Sequence, residues 1–502
     1  MKKLFKLFTN KIVLTALFFL IQVAMQVLLL LYLSSFSVWI YFGFSVLSVI
    51  VCLFIMGKDA NPGYKLAWVV PILIVPLFGG MLYISFGRSA RLRRKDRKYL
   101  ETIENETAMK ITEMPTALSP TAARLATLLY NATGYAPVGD SEVEYYPIGE
   151  HFFEALKEAL LGATRFIFME YFIVGRGKCW DELVEILRVK AAEGVDVRLI
   201  YDDIGCLFTL PYRYHKKLQA MGIKTHVFNK LKPTFNARMN NRTHRKITVV
   251  DGKVAFTGGL NLADEYMNVV DRFGYWKDTA VKITGMGVDN FTRMFLRFWM
   301  LLEKEHEPIE PYLCAQPIPA QGFVQPIAAG PGKNEQGIEK GMMDMVNNAK
   351  SYIYINTPYL ILDNEFLTSL CLAAESGIDV RITMPHVPDK KLVFIVSRSF
   401  YPILLKAGVK IYEYLPGFLH AKSAVCDDSI AYVGTCNLDY RSFYLHYECG
   451  AFLYDVPAIS DVKADYLKTL EVCKAVTYEE ATDVTAATKL ARSVLRLFAP
   501  LM

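Results

Sequence analysis

The residues in this chain best suited to chemistry are two histidines, each followed two positions later by a lysine. His244 and Lys246 lie in 241–266, NRTHRKITVVDGKVAFTGGLNLADEY, and His420 and Lys422 lie in 420–443, HAKSAVCDDSIAYVGTCNLDYRSF. The matched positions are His244, Lys246, Asp251, Gly258 and Asn261 against His420, Lys422, Asp427, Gly434 and Asn437. A His beside a Lys suits a phosphate group: the imidazole can attack phosphorus or protonate a leaving oxygen, and the ammonium holds the non-bridging oxygens. The small pairs Gly258-Gly259 and Gly434-Thr435 would let backbone come close to a phosphate, and each Asn would offer an amide donor beyond it. Each Asp precedes a turn and could cap that turn instead. A single His-x-Lys on a strand is ordinarily a solvated surface pair, but two copies agreeing at five positions are not a chance repetition.

The elements that must hold these residues also repeat. The β-branched and apolar runs 243–250 and 419–425 read as strands, which would point His and Lys to one face of a sheet. A helical pattern at 152–161 leads into Ala163-Thr-Arg-Phe-Ile-Phe-Met-Glu, and one at 342–348 leads into Ala349-Lys-Ser-Tyr-Ile-Tyr-Ile-Asn. Further helices at 180–192 and 365–375 precede Gly194-Val-Asp-Val-Arg and Gly377-Ile-Asp-Val-Arg. Strands alternating with helices of this length predict an α/β sandwich built twice. The offset is 349 − 163 = 186 in the helix-strand units and 420 − 244 = 176 in the motifs, so the first half carries extra residues between Gly222 and its His. They include Lys230, Lys232, Arg238 and Arg242, and form a lip over the site or a longer loop. Glu170 and Asn356 occupy equivalent strand positions, and Asp264-Glu265 and Asp439 follow the two Asn residues; each is a supporting residue, a buried ion pair or a turn cap.

The front of the chain is different in kind. Of 502 residues, 53% are hydrophobic and mean hydropathy is +0.22, high for a purely soluble protein. The excess sits in 12–57, with no charged residue, and in a second uncharged run, 66–87. A crossing needs about 20 apolar residues, so two to three transmembrane helices are expected rather than a cleaved signal peptide. Lys2, Lys3, Lys6 and Lys11 precede them, and a denser cluster, Arg88, Arg91, Arg93, Arg94, Lys95, Arg97 and Lys98, follows; the denser cluster places the catalytic part at the cytoplasmic face. The expected organisation is a membrane anchor at 1–98, a linker at 99–145, and two halves at 146–315 and 316–502. The net charge of +6 suits an anionic partner, here membrane lipid. The nine Cys show no framework spacing, which fits a reducing compartment, and no His/Cys cluster has zinc-ligand spacing, so no metal and no cofactor is expected. The C-terminal stretch 486–502 places Leu490, Val494, Leu497 and Phe498 on one helical face, packed on the second half or laid on the membrane.

Both copies match H-x-K-x-x-x-x-D followed by G-[GST]-x-N without a substitution, and so the chain resembles the phospholipase D superfamily. Within it the whole chain is similar to bacterial cardiolipin synthases, with Trp276-Lys277-Asp278 after the first motif and Asp439, Arg441, Ser442 and Phe443 after the second agreeing as well. The resemblance implies a pseudo-twofold pairing of the halves and one active site with His244, Lys246 and Asp251 facing His420, Lys422 and Asp427. It implies His244 as nucleophile forming a phosphohistidine, His420 as acid and then base, and Asp251 and Asp427 supporting the histidines. Lys246, Lys422, Asn261 and Asn437 would stabilise the phosphoryl oxygens, and phosphatidylglycerol would be both donor and acceptor. A hydrolytic phospholipase D would share every motif residue. A nuclease of the same superfamily has no use for a membrane anchor, and a non-catalytic scaffold would be expected to lose a His or Lys.

Overall fold

The computed structural model describes residues 37–74, 79–80, 83, 87, 94–109, 111, 113–231, 240–331 and 336–501. They fall into two compact units, one N-terminal and one from residue 90 onward that holds both halves of the repeat.

The larger unit is built on two mixed sheets that match strand for strand. The first runs in the order Ser141–Tyr146, Ala280–Gly285, Val254–Gly258, Ile247–Val250, Phe166–Tyr171, Asp196–Asp202, Lys224–Phe228. The second runs Phe323–Ala329, Glu448–Tyr454, Ile430–Gly434, Ser423–Cys426, Tyr352–Asn356, Asp379–Pro385, Lys410–Tyr414, with Cys473–Ala475 added at the far edge. In each, three strands run parallel and the motif strands run antiparallel to them, Glu170 opposite Ile247 and Asn356 opposite Ser423. The central strands FIFMEY and YIYIN are buried along their whole length, as strands covered on both faces must be. The α/β sandwich expected twice over is what forms.

The halves share a core. One apolar cluster joins Phe168, Phe291 and Phe295 of the first half to Ile353, Ile382 and Phe452 of the second. Helix Val288–Glu303 packs on strands of both halves, and so does Ala458–Leu470. The segment expected as a linker contributes structure to this unit. Helix Arg94–Glu106 packs on Val288–Glu303, and Ser141–Tyr146 is the edge strand of the first sheet. Helix Pro120–Thr133 packs against Gly337–Asn348 of the second half. Its ends follow local rules: Ser119 caps the start, Pro120 occupies the first turn and Gly134 closes it in the left-handed conformation at φ 74°.

The N-terminal unit contains helix Ser37–Met56, with no charged residue and with Trp39, Phe42, Leu47, Leu53 and Phe54 exposed, and helix Pro62–Ile74. Trp68 packs edge-on to Tyr64 and Tyr83. Several side chains of Ser37–Met56 lie outside the description, and among the described residues no helix is long and apolar enough to cross a membrane. The first expected crossing, the N-terminal lysines, Arg88, Arg91 and Arg93 lie outside the described residues, as do Lys232 and Arg238 of the insertion.

Candidate active site

Both motif strands begin later than the β-branched runs suggest. Ile247–Val250 and Ser423–Cys426 start after the lysines, so His244 to Lys246 and His420 to Lys422 lie in the extended stretches that enter them. The reason lies in the opposite half. The His244 N–H donates to the carbonyl of Tyr447 at 2.8 Å, and the His420 N–H to the carbonyl of Lys277 at 2.7 Å. Gly417–Leu419 further pairs in parallel with Tyr275–Lys277. Each histidine is therefore held at the seam by main chain of the other half.

The side chains cross the seam in the same way. His244 Nδ1 lies 2.9 and 3.0 Å from the two carboxylate oxygens of Glu448, and His420 Nδ1 lies 2.6 Å from Asp278 Oδ2. Asp278 and Glu448 are counterparts: each sits two residues before the residue that pairs with the motif glycine, Ala280 with Gly258 and Gly450 with Gly434. The preceding positions correspond too. The ring of Trp276 lies 5.2 Å from that of His420, and His446 lies 5.7 Å from His244.

These contacts set the tautomers. A carboxylate can only accept, so a neutral imidazole carries its proton on Nδ1 and leaves the Nε2 lone pair for chemistry. Burial, reinforced by the charges of Lys246 and Lys422, holds both imidazoles well below the usual histidine range, so both are neutral. The lysines are buried as well, each donating to the carbonyl of its own histidine, Lys246 at 2.7 Å. Burial pushes Lys246 down to about 8, and burial with the charge of Lys246 pushes Lys422 down to about 7. Two buried ammoniums beside two neutral imidazoles form a site whose electrostatics call for an anion.

Asp251 and Asp427 do not support the histidines. Asp251 accepts from the backbone N–H groups of Thr164, Arg165 and Phe166 at 2.8–3.0 Å and from the Thr164 hydroxyl at 2.7 Å. Asp427 accepts from Lys350, Ser351 and Tyr352 at 2.6–3.0 Å. Both stand at positive φ, 54° and 50°, at the turn that closes the motif strand, and pin it to the start of the central strand. The turn-cap alternative is the one that forms, and Glu448 and Asp278 do the supporting.

The small pairs also serve these carboxylates. A Cβ on Gly259 would lie 1.9 Å from Asp278 Oδ1, and the Thr435 hydroxyl donates to Glu448 in a short contact. Cβ atoms on Gly258 and Gly434 would meet backbone of the next strand, Thr279 O at 2.3 Å and Cys449 O at 2.6 Å. Close sheet packing, rather than approach to a phosphate, accounts for them. Asn261 Oδ1 accepts from the Ile173 N–H at 2.9 Å, and Asn437 Nδ2 donates to Asp439 at 3.1 Å.

The remaining candidates resolve as supports. Glu170 accepts from the Thr243 hydroxyl and lies 3.9 Å from Arg245, while Asn356 donates to the Ser423 hydroxyl at 3.1 Å. Asp264 accepts from the first-turn N–H groups of Lys178 and Cys179, and Asp439 caps Tyr440–Tyr444 through Ser442. Arg242, from the insertion, is buried 3.1 Å from Asp202, which also accepts from the Thr243 N–H. His446 and Glu448 with His244 form a grouping of metal-ligand type within 4.8 Å, but Glu448 already accepts from His244 and Thr435.

Comparison with known proteins agrees with this geometry. A family model described as "Cardiolipin synthase, PLD-like domain" matches 155–295 and 342–470, and one described as "Phospholipase_D-nuclease N-terminal" matches 43–88. A cardiolipin synthase of Geobacillus kaustophilus is 36% identical over 465 residues, covering 90% of this chain and 92% of that protein. One of Halalkalibacterium halodurans is 36% identical over 489 residues, covering 92% and 95%. The fold is similar to a crystal structure of phosphatidylserine synthase from Haemophilus influenzae, with TM-score 0.58 at 16% identity, covering 75% of this chain and 97% of that one. The chain belongs to the phospholipase D-like cardiolipin synthase family.

Proposed function

We propose that this chain is a cardiolipin synthase that moves a phosphatidyl group from one phosphatidylglycerol to a second, releasing glycerol. The observation that carries the reading is the crossed pair of His–carboxylate contacts around two buried lysines. His244 Nε2 attacks phosphorus, forming an N–P bond as the bond to the glycerol oxygen breaks. An anionic phosphodiester bound between the lysines raises the proton affinity of His420, which takes up a proton on Nε2 while Nδ1–H stays on Asp278. It is this Nε2 proton that passes to the departing glycerol oxygen. The hydroxyl of a second phosphatidylglycerol then gives its proton to His420 and attacks phosphorus, and the N–P bond breaks. Lys246 and Lys422 hold the phosphoryl oxygens throughout, and Glu448 and Asp278 fix the ring orientations and balance the positive charge that develops on them.

Helix Ser37–Met56 and the uncharged run around it act as the membrane anchor, and the catalytic unit works at the cytoplasmic face. The matched N-terminal family segment at 43–88 and the uncharged sequence support the anchor, and the basic cluster from Arg88 to Lys98 supports the cytoplasmic face. Two products distinguish the outcomes. Membranes holding the full chain with phosphatidylglycerol as sole phospholipid are expected to yield cardiolipin and glycerol, with both lost in His244→Ala and His420→Ala. Phosphatidic acid without cardiolipin would make the protein a hydrolase.

A further inference from the structure

The loop that follows strand Asp196–Asp202 presents two aromatic side chains almost wholly to solvent. Phe208 is 87% exposed and Tyr212 88%, with Leu207 exposed beside them. Single exposed apolar residues are ordinary, but these belong to a loop whose main chain is tightly bound. Leu207 donates to Ile204 O, Thr209 and Leu210 to Cys206 O, and the Thr209 hydroxyl to Val174 O. Arg176 N–H donates to Thr209 O and Val174 N–H to Cys206 Sγ, so the loop is stitched to 172–176. That segment is a wall of the active site: Phe172 packs edge-on to His244 at 5.2 Å, and Ile173 is held by Asn261. The aromatics are thus offered outward by a fixed support that touches the catalytic centre.

The exposed charges that follow them in the chain are basic, with Asp203 partly buried at the start of the loop. Arg213, Lys216 and Lys217 are exposed, and the Arg213 guanidinium lies over the Tyr212 ring at 5.1 Å. The counterpart segment after Asp379–Pro385 repeats the composition, with Lys390, Lys391 and Leu392 all exposed. Lys390, 3.8 Å from Asp389, stands against the ring and hydroxyl of the half-buried Tyr359. Both segments leave the C-terminal ends of parallel strands, the end at which both histidines stand. Aromatic and aliphatic tips among lysines and arginines are the composition that settles into the headgroup region of an anionic bilayer.

We propose that Leu207, Phe208 and Tyr212, with Arg213, Lys216 and Lys217, form a docking loop that seats the active-site mouth on an anionic phospholipid leaflet. The counterpart Lys390, Lys391 and Leu392 make the second contact. The inference rests on the reading that the substrate is a membrane phospholipid. Seated this way, the mouth meets the headgroup layer, and a phosphodiester reaches the lysines without its acyl chains leaving the leaflet.

The test uses the full chain reconstituted in phosphatidylglycerol vesicles, with Phe208→Trp compared with Leu161→Trp. Leu161 is also exposed, but ends the helix before Phe166–Tyr171 and so lies at the opposite end of the strands from the histidines. Bromine-labelled phosphatidylglycerol is expected to quench the added fluorescence at 208 and not at 161. In a second measurement, Phe208→Asp with Tyr212→Asp is expected to raise the KM for surface-diluted phosphatidylglycerol about tenfold or more. Absence of quenching at 208, or equal quenching at both positions, overturns the proposal, as does an unchanged KM. Quenching at 208 in a protein that makes neither cardiolipin nor phosphatidic acid would uphold docking while sinking the proposed reaction.

Discussion

At the scale of single residues, two kinds of carboxylate and two lysines carry separable jobs. Glu448→Gln and Asp278→Asn keep shape but remove the charge that balances a protonated or phosphorylated imidazole. Each is expected to lower kcat by about 10²-fold or more, with melting temperature little changed. Asp251→Asn does the reverse: it weakens the cap on three backbone N–H groups, costs about 1–3 kcal/mol of stability, and leaves the kcat of the folded fraction near wild type. Equal loss of kcat in Asp251→Asn and Glu448→Gln would contradict the division. The lysines predict opposed pH effects. Lys246 and Lys422 lose their protons near about 8 and about 7 when folded, against roughly 10.4 when unfolded. Between about 7 and about 10.4 the unfolded chain binds more protons, so these groups make stability rise with pH. The same deprotonation removes the ammoniums, so kcat/KM is expected to fall across about pH 7 to 8. Lys422→Met should flatten its part of the stability rise, which melts across that range would read directly.

At the scale of elements, the spacing of the motifs was legible and their immediate consequence was not. Alternating strands and helices in two offset copies foretold both sheets, and the repeated glycine positions foretold the match between them. The strand starts were misjudged because β-branched residues report local preference, while the His244 and His420 N–H groups are claimed by carbonyls 203 and 143 residues away (447 − 244 and 420 − 277). Asp278 stood in a recognisable triplet, but Glu448 did not. The signal that finds it is the duplication itself, since it precedes the partner of Gly434 as Asp278 precedes the partner of Gly258. The glycines follow the same logic. In Gly259→Ala the new methyl would overlap Asp278 Oδ1, so the carboxylate must move off His420. Activity is expected to fall by about 10-fold or more through that shift, whereas Gly162→Ala, with its nearest contacts at 3.6 Å and φ at −76°, should be silent. Comparable activity in the two variants would show that the Asp278 position has slack.

At the scale of the whole molecule, the repeat has stopped being two domains. Residues 99–145 read as a linker because Pro115 and Pro120 punctuate them, yet they lay a helix on the second half and a strand on the first. Helix Val288–Glu303 comes from the first half and packs on Phe323–Ala329 of the second, and the shared apolar cluster has no boundary at residue 315. The site divides the same way: each histidine takes its carboxylate and its backbone acceptor from the other half. Cutting the chain at 315 would therefore expose a core face on both fragments and strip each histidine of both partners. Each fragment expressed alone is expected to lack cooperative melting and to make no product. Co-expression should restore a complex with activity, because the partners needed are on the other fragment rather than across the cut bond. Pairing a fragment that carries His244→Ala with an intact one must then give no activity, since no histidine can be supplied twice. A fragment that melted cooperatively by itself would show that the core divides after all, and that the crossed contacts join two bodies able to fold apart.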